Sequence, residues 1–315
     1  MALQIPTIDL DSGWQHPDVV KSIKSACENW GFFQIMGHQI DPVLRRELFQ
    51  VTRQFFQLSA TQKQLLCRTG TNFWGFYDHE LTKNQRDQKE IFDIDANLTT
   101  HASGTTDMPV PWPEQISQFK PLMTHWMTCC ETLSQQLLSS ICLALEQSPD
   151  SLSPEFGKQH SSFLRLNYYP LSPQPTTSER GPLGINRHSD AGALTVLAQD
   201  DVPALQVRKG RTWHTVMPLA NAFIINVGDM MQVWSNDRFV AAEHRVLSSS
   251  DRVRYSAPYF YNPSYQAIVK PLTGSNEGPV FRPVPWGEFR QGRASGDYAD
   301  QGEEIQIARY RIQDS

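Results

Sequence analysis

The sequence lacks a long apolar run, and it also lacks a secretory signal pattern and an internal repeat. No stretch approaches the roughly 18 apolar residues of a membrane-spanning helix. The first residues show no basic region followed by an apolar core. We therefore expect no membrane association and a cytoplasmic location.

A basic block and a disulfide framework are missing as well. The 28 Lys and Arg residues are outnumbered by 33 Asp and Glu, giving a net charge of −5 without a positive patch for a phosphate backbone. The five cysteines are odd in number and form no Cys-x-x-Cys pair, which fits a reducing compartment. Nucleic acid is not an expected partner, and no obligate protein partner is evident.

What the chain does contain is enough apolar material for a large core. Of its 315 residues, 39% are hydrophobic and 19% are charged, which argues against disorder. We expect residues 1–315 to form a single catalytic unit. Within it we distinguish a mostly helical N-terminal region (1–150), a jelly-roll core (160–270) and a C-terminal extension (271–315).

Hydrophobic periodicity supports this division. Apolar residues at helical spacing predict helices over residues 18–30, 42–58 and 114–146. From residue 161 onward, short runs separated by turn signals predict strands at 163–169, 194–198, 204–208, 212–216, 223–227, 230–234 and 255–261. The expected fold is therefore mainly β with flanking helices, around a double-stranded β-helix, or jelly-roll, core.

Three residues have the composition of a site for ferrous iron. Side chains two apart on a strand project to the same side, so His188 and Asp190 can reach one metal ion. His244, at the start of a distant predicted strand, supplies the second imidazole through folding. Two imidazoles and one carboxylate on one face leave positions open for a co-substrate and dioxygen.

A second pair indicates a site for a carboxylate. Arg254 and Ser256 share one face of the last predicted strand. A guanidinium can pair bidentately with a carboxylate, and the hydroxyl can add a further hydrogen bond. Together with the candidate metal ligands, these residues predict binding of an acidic co-substrate.

Several segments, in order, carry a resemblance to a known family. They are Ile5-Pro6-Thr7-Ile8-Asp9-Leu10, Trp30-Gly31-Phe32-Phe33-Gln34-Ile35 with Gly37-His38, Asn167-Tyr168-Tyr169-Pro170, His188-Ser189-Asp190, Gly228-Asp229, His244-Arg245-Val246 and Arg254-Tyr255-Ser256. Over nearly its whole length the chain resembles the 2-oxoglutarate-dependent iron oxygenases of the isopenicillin N synthase-like family.

The resemblance implies Fe(II), 2-oxoglutarate and O2 as cofactor and co-substrates, with His188, Asp190 and His244 as metal ligands and catalytic centre. It implies that Arg254 and Ser256 bind 2-oxoglutarate and that Asn167 and Tyr169 contact it. Arg165 shares their face by period. Which of Tyr168 and Tyr169 points inward is left open, because a slip of one residue would exchange them.

The expected activity is hydroxylation of a C–H bond of a small molecule, with desaturation or cyclisation as variants, in secondary-metabolite or toxin biosynthesis. Two alternatives remain: an iron oxidase that works without 2-oxoglutarate, and a metal-binding barrel that only senses a ligand. The prime substrate is not identified by the sequence. Candidates for contacting it are Phe76, Tyr77, Arg187, Met231, Phe260 and Tyr261.

Overall fold

The computed structural model describes residues 4–97, 109–157, 159–173, 175, 182–273, 278–296 and 305–312. Its helices are α1 (Pro17–Asn29), α2 (Pro42–Phe56), α3 (Ala60–Gln64), α4 (Phe119–Ala144), α5 (Asp229–Trp234) and α6 (Trp286–Gly296). Its strands are β1 (Thr7–Asp9), β2 (Phe32–Met36), β3 (Gly75–Tyr77), β4 (Leu81–Thr82), β5 (Gln85–Arg86), β6 (Glu90–Asp95), β7 (Phe163–Tyr169), β8 (Ile185–His188), β9 (Leu194–Gln199), β10 (Leu205–Lys209), β11 (Thr212–Thr215), β12 (Phe223–Val227), β13 (His244–Val246), β14 (Arg254–Tyr261), β15 (Ile268–Val269) and β16 (Val284–Pro285). Among these helices, none is both long enough and apolar enough for a membrane crossing.

Two facing sheets form the centre of the molecule. The larger has the strand order β1-β2-β12-β9-β14-β7-β6-β3, and the smaller has the order β11-β10-β13-β8. All ladders in the two sheets are antiparallel except that between β1 and β2. The expected jelly-roll architecture with flanking helices is confirmed.

The large sheet separates two hydrophobic cores. Because side chains alternate along a strand, Phe33 and Ile35 of β2 pack with the core that holds α1, α2 and α4. Phe32, which directly precedes Phe33, faces the smaller sheet and joins a second core there. The helices thus cover the outer face of the large sheet, and the space between the two sheets is left for the site.

Helix starts follow local chemistry. Asp41 accepts a hydrogen bond from the amide of Val43 and precedes Pro42 at the first helical position of α2. Ser59 and Gln62 form a capping box at α3. The helices predicted at 18–30, 42–58 and 114–146 are present, although α4 begins five residues later than expected.

Two features differ from the sequence-based prediction. Residues 230–234, predicted as a strand, belong to helix α5, and a short apolar run buried on several sides cannot be assigned by periodicity alone. Strands β3 to β6 were not predicted, and β3 and β6 extend the large sheet. The region 1–150 therefore contributes strands to the central sheet in addition to its helices.

Candidate functional site

Three potential metal ligands meet where the smaller sheet ends. His188 on β8 and His244 on β13 lie directly opposite each other in the ladder, with ring centroids 4.2 Å apart. Asp190 follows β8 by two residues, and its Oδ1 lies 3.7 Å from His188 Nε2 and 3.6 Å from His244 Nε2. The ligand atoms of all three lie within 4.8 Å of one another. This donor set suits Fe(II) with open coordination positions.

Backbone carbonyls orient both imidazoles. His188 Nδ1 lies 2.8 Å from the carbonyl oxygen of Asn186, and His244 Nδ1 lies 3.2 Å from that of Ala242. Because a carbonyl can only accept, each Nδ1 carries the hydrogen and each Nε2 presents its lone pair. Both rings are therefore held in the tautomer that binds a metal through Nε2.

Two donors hold the carboxylate. Asp190 Oδ2 accepts hydrogen bonds from Thr195 Oγ1 at 2.5 Å and from Asn226 Nδ2 at 2.7 Å. Its other oxygen, Oδ1, is the atom that faces the imidazoles. The carboxylate is thus fixed in an orientation that offers one oxygen as a single ligand.

Burial and neighbouring charge set the protonation states. Burial, and then the adjacent His244, lower the pKa of His188 to about 3. Burial acts to raise the pKa of Asp190, but the charges of His244 and His188 and the bonds from Thr195 and Asn226 outweigh it and lower that pKa. At neutral pH the site therefore offers a neutral His188 and an ionised Asp190, the forms that bind metals.

The chain around Asp190 is fixed by the start of helix α5. The amide of Asp229 donates to the carbonyl of Asp190 at 2.8 Å, and that of Met230 donates to Gly192 at 3.0 Å. A side chain at Gly228 would place its Cβ 2.3 Å from the carbonyl oxygen of Gly192. Glycine at position 228 thus permits this close approach.

Helix α6 also reaches this turn. Arg293 is buried, and its Nη2 donates to the carbonyl of Ser189 at 2.7 Å while its Nη1 lies 3.2 Å from Asp229 Oδ2. Ser189 lies between two of the candidate ligands. A residue of the C-terminal extension therefore helps to position the metal-binding turn.

The predicted carboxylate-binding pair, Arg254 and Ser256, lies in the same cavity as His188, Asp190 and His244. Arg254 is 2% exposed and donates through Nη2 to Gln199 Oε1 at 2.8 Å. Its Nε and Nη1 are buried and have no hydrogen-bond partner among the residues that the structure describes. Asn167 Nδ2 donates to Ser256 Oγ at 3.2 Å, and the ring of Tyr169 lies 4.9 Å from Arg254 Cζ. A buried guanidinium with two unused donors fits an incoming carboxylate.

Strands β7 and β14 together form one wall of this cavity, whose volume is about 150 Å³. The residues facing it alternate along both strands, and they are Phe163, Arg165, Asn167, Tyr169, Arg254, Ser256, Pro258 and Phe260. Tyr168 lies on the other face, where its ring stacks on Phe56 at 5.5 Å. The register is thereby defined: Tyr169, and not Tyr168, faces the site.

A buried network of charges, absent from the sequence-based prediction, forms another part of the lining. Lys89 Nζ lies 2.6 Å from Glu80 Oε2 and 3.0 Å from Asp87 Oδ2. Arg165 pairs with Glu80 at 2.9 Å and with Asp93 at 2.8 Å. Glu80, Lys89 and Arg165 line the cavity. Opposite charges beside Glu80 outweigh its burial and lower its pKa.

Of the six predicted substrate contacts, only Phe260 lines the cavity. Phe76, Met231 and Tyr261 are buried in the core beneath the helices, and Arg187 is exposed on β8. Tyr77 is half-buried, with its ring 5.3 Å from Arg68 Cζ. Neighbours on a strand point to opposite faces, so Tyr261 and Arg187 point away from the face used by Phe260 and His188.

Sequence inspection missed several residues that support the site. Thr195, Gln199 and Asn226 are polar and buried in strands that are otherwise apolar. A polar residue within an apolar strand is informative because its burial requires a partner, and this signal could have identified all three. Phe163 could have been found from the same alternation that gave Asn167 and Tyr169. Nothing in the pattern of 286–296 pointed to Arg290 and Arg293, which also line the cavity.

Comparisons with known proteins agree with this geometry. The 2OG-Fe(II) oxygenase superfamily matches residues 160–263, and the family described as non-haem dioxygenase in morphine synthesis N-terminal matches residues 5–115. Homoarginine-6-hydroxylase 2-ODD-C23 of Glycine max is 32% identical over 298 residues, which cover 90% of this chain and 90% of that protein. The bi-functional coumaroyl CoA and feruloyl CoA ortho-hydroxylase Diox1 of Ruta graveolens is 34% identical over 299 residues, covering 89% and 75%.

A solved structure shows the same fold. The crystal structure of JOX2 in complex with 2OG, Fe and JA superimposes with a TM-score of 0.82 at 30% sequence identity, covering 92% of this chain and 85% of that one. Similarity at this level extends over almost the whole molecule, helices and both sheets included. The chain belongs to the 2-oxoglutarate- and Fe(II)-dependent oxygenase superfamily.

Proposed function

We propose that His188, Asp190 and His244 bind ferrous iron and that Arg254 and Ser256 bind the far carboxylate of 2-oxoglutarate. The observation that carries this proposal is the placement of both groups in one cavity. The donor set suits Fe(II), and the two unpartnered nitrogens of Arg254 suit a carboxylate.

When bound, the iron supplies dioxygen activation, in which 2-oxoglutarate and O2 yield succinate and CO2 while a substrate C–H bond is hydroxylated. The chain's own residues prepare this chemistry. Thr195 and Asn226 keep Asp190 Oδ2 occupied, so Oδ1 alone faces the metal position. Asn167 Nδ2 donates a hydrogen bond to the hydroxyl oxygen of Ser256. The hydroxyl hydrogen of Ser256 is therefore free to be donated to the oxoacid.

The proposed substrate is a small molecule of secondary metabolism, in keeping with relatives named for hydroxylating homoarginine and coumaroyl CoA. Desaturation or cyclisation would use the same site. Residues from 1–150, from 160–270 and from 271–315 all line the cavity, which supports one catalytic unit. We place the enzyme in the cytoplasm, since all five cysteines are free, as in a reducing compartment.

The test is succinate formation by the purified protein supplied with Fe(II), 2-oxoglutarate and oxygen. We expect slow formation without a prime substrate and its loss in Asp190→Ala. Oxygen uptake without succinate would instead favour an iron oxidase that does not use 2-oxoglutarate. Binding of metal and oxoacid with no oxygen uptake would favour a sensor barrel.

A further inference from the structure

The wall formed by β7 and β14 has two chemically different ends. At one end Arg254 lies opposite Tyr169, and at the other Phe260 lies opposite Phe163. Phe260 lies six positions after Arg254, which corresponds to about 20 Å at roughly 3.3 Å per residue. A group bound beside Phe260 is therefore distinct from the oxoacid carboxylate held at Arg254.

A second guanidinium lies at the aromatic end. Phe163 and Phe260 are stacked with centroids 4.7 Å apart, and Arg290 Cζ lies 5.5 Å from the centroid of Phe163. Arg290 lines the cavity and stands one helical turn before Arg293, which contacts the metal-binding turn. A small molecule whose reacting carbon is near the metal position can thus also contact the aromatic end.

Charge balance distinguishes Arg290 from the other cations of the cavity. Lys89, Arg68 and Arg165 are offset by Glu80, Asp87 and Asp93, and Arg293 is offset by Asp229. Arg290 forms no ion pair in the part of the chain that the structure describes.

The acid nearest in register to the aromatic end is Asp95. Asp95 lies opposite Phe163 in the ladder and accepts a hydrogen bond from the amide of Asn97 at 3.0 Å. It does not pair with Arg290. Fe(II), Asp190, 2-oxoglutarate and Arg254 together carry no net charge. Once 2-oxoglutarate pairs with Arg254, Arg290 is therefore the cavity-lining cation without an ion-pair partner among the described residues.

We propose that the prime substrate is a carboxylic acid with a planar apolar body, whose carboxylate pairs with Arg290 and whose body packs on Phe163 and Phe260. This rests on the proposed function and adds a substrate class to it. A single guanidinium matches a single carboxylate, and the stacked rings match a planar apolar group. Arg290 is then a specificity-determining residue.

The test uses the protein loaded with Mn(II) and 2-oxoglutarate without oxygen. Binding of phenylacetate, 3-phenylpropanoate, cinnamate and 4-phenylbutanoate is measured by calorimetry against the primary amide of each. At least one acid is expected to bind about tenfold or more tightly than its amide, because the amide lacks the negative charge and the second acceptor oxygen that a carboxylate offers to a guanidinium. Arg290→Gln should remove this preference, and Arg290→Lys should keep part of it.

The control variant is Arg46→Gln, which removes one positive charge from an exposed position of α2 and should retain the wild-type preference. Thermal unfolding of each variant establishes that it is folded. Equal binding of acids and amides, an unchanged preference in Arg290→Gln, or no binding by any of the acids would overturn the inference. Failure of the proposed function is a separate result, namely no 2-oxoglutarate-dependent succinate from the wild-type protein.

Discussion

The inner end of the cavity and its outer end are built from different parts of the chain. At the inner end, Asp190 and Arg254 are held by neighbouring strands of the jelly roll, through bonds to Thr195, Asn226 and Gln199. Other lining residues come from distant segments: Arg290, at the outer end, comes from α6, and Lys89, next to Tyr169 in register, comes from the segment between β5 and β6. The inner end is fixed by strand register, whereas the outer end depends on contacts between distant segments. We infer that the inner end determines the reaction and that the outer end determines which substrate binds.

The largest effect is expected from Asp190→Ala at the inner end. Loss of the only carboxylate among the proposed ligands should lower 2-oxoglutarate-dependent succinate formation by at least about a thousandfold, because the protein no longer binds the catalytic metal ion. Iron retained after dialysis should fall in parallel. The exposed Asp251→Ala serves as control. Retention of iron and turnover by Asp190→Ala would contradict the assignment.

In the buried charge network, Lys89→Met should affect folding before it affects chemistry. It leaves Glu80 and Asp87 buried beside each other without their shared cation, and breaking a buried pair costs about 3 to 5 kcal/mol. Urea unfolding measures the loss. The double variant Lys89→Met/Glu80→Gln should recover part of it. Equal stability of wild type and Lys89→Met would show that the network does not stabilise the cavity wall.

Arg254→Gln should raise KM for 2-oxoglutarate about tenfold to a hundredfold, because a charge-assisted pair is worth about 1.5 to 3 kcal/mol. The variant also removes a buried guanidinium with two unpartnered nitrogens. We therefore expect 2-oxoglutarate to raise the Tm of wild type more than that of the variant. Arg46→Gln is again the matched control. An unchanged KM would place the oxoacid elsewhere.

Asn226→Ala should have the smallest effect of the four. Asp190 Oδ2 would keep its bond from Thr195 and lose the one from Asn226. Supporting bonds of this kind change metal affinity by about tenfold or somewhat more. Competition with a chelator measures this affinity, and Asn221→Ala, on an exposed turn, is a suitable comparison. If the metal affinities of the two variants are the same, Asn226 does not support the site.

The same contrast explains which parts of the molecule could be predicted from sequence. The alternation in β14 placed Arg254 and Ser256 on one face, because period two is a local property of a strand, and the family resemblance implied Asn167 and Tyr169; all four line one cavity. His188 and His244 come together only in the folded chain. The donor set that Fe(II) prefers, two imidazoles and one carboxylate, nevertheless limited the number of candidate ligands.

The outer end escaped prediction for physical reasons. Strand β6 carries Asp93 and Asp95 among apolar residues, and charges that pair inside a cavity cannot be distinguished by pattern from charges in solvent. Arg290 acquires its position through the packing of α6, which no local signal encodes. Helix α5 was mistaken for a strand because its buried run is short. Met231, a candidate for contacting the substrate, lies in the core.

A crystal structure of the protein grown with Mn(II) and 2-oxoglutarate tests the central claim most directly. The account predicts one metal ion bound to His188 Nε2, Asp190 Oδ1 and His244 Nε2, and a 2-oxoglutarate whose far carboxylate contacts Arg254 and Ser256. A metal ion bound by other residues, or an oxoacid carboxylate that leaves Arg254 Nε and Nη1 without a partner, would contradict it.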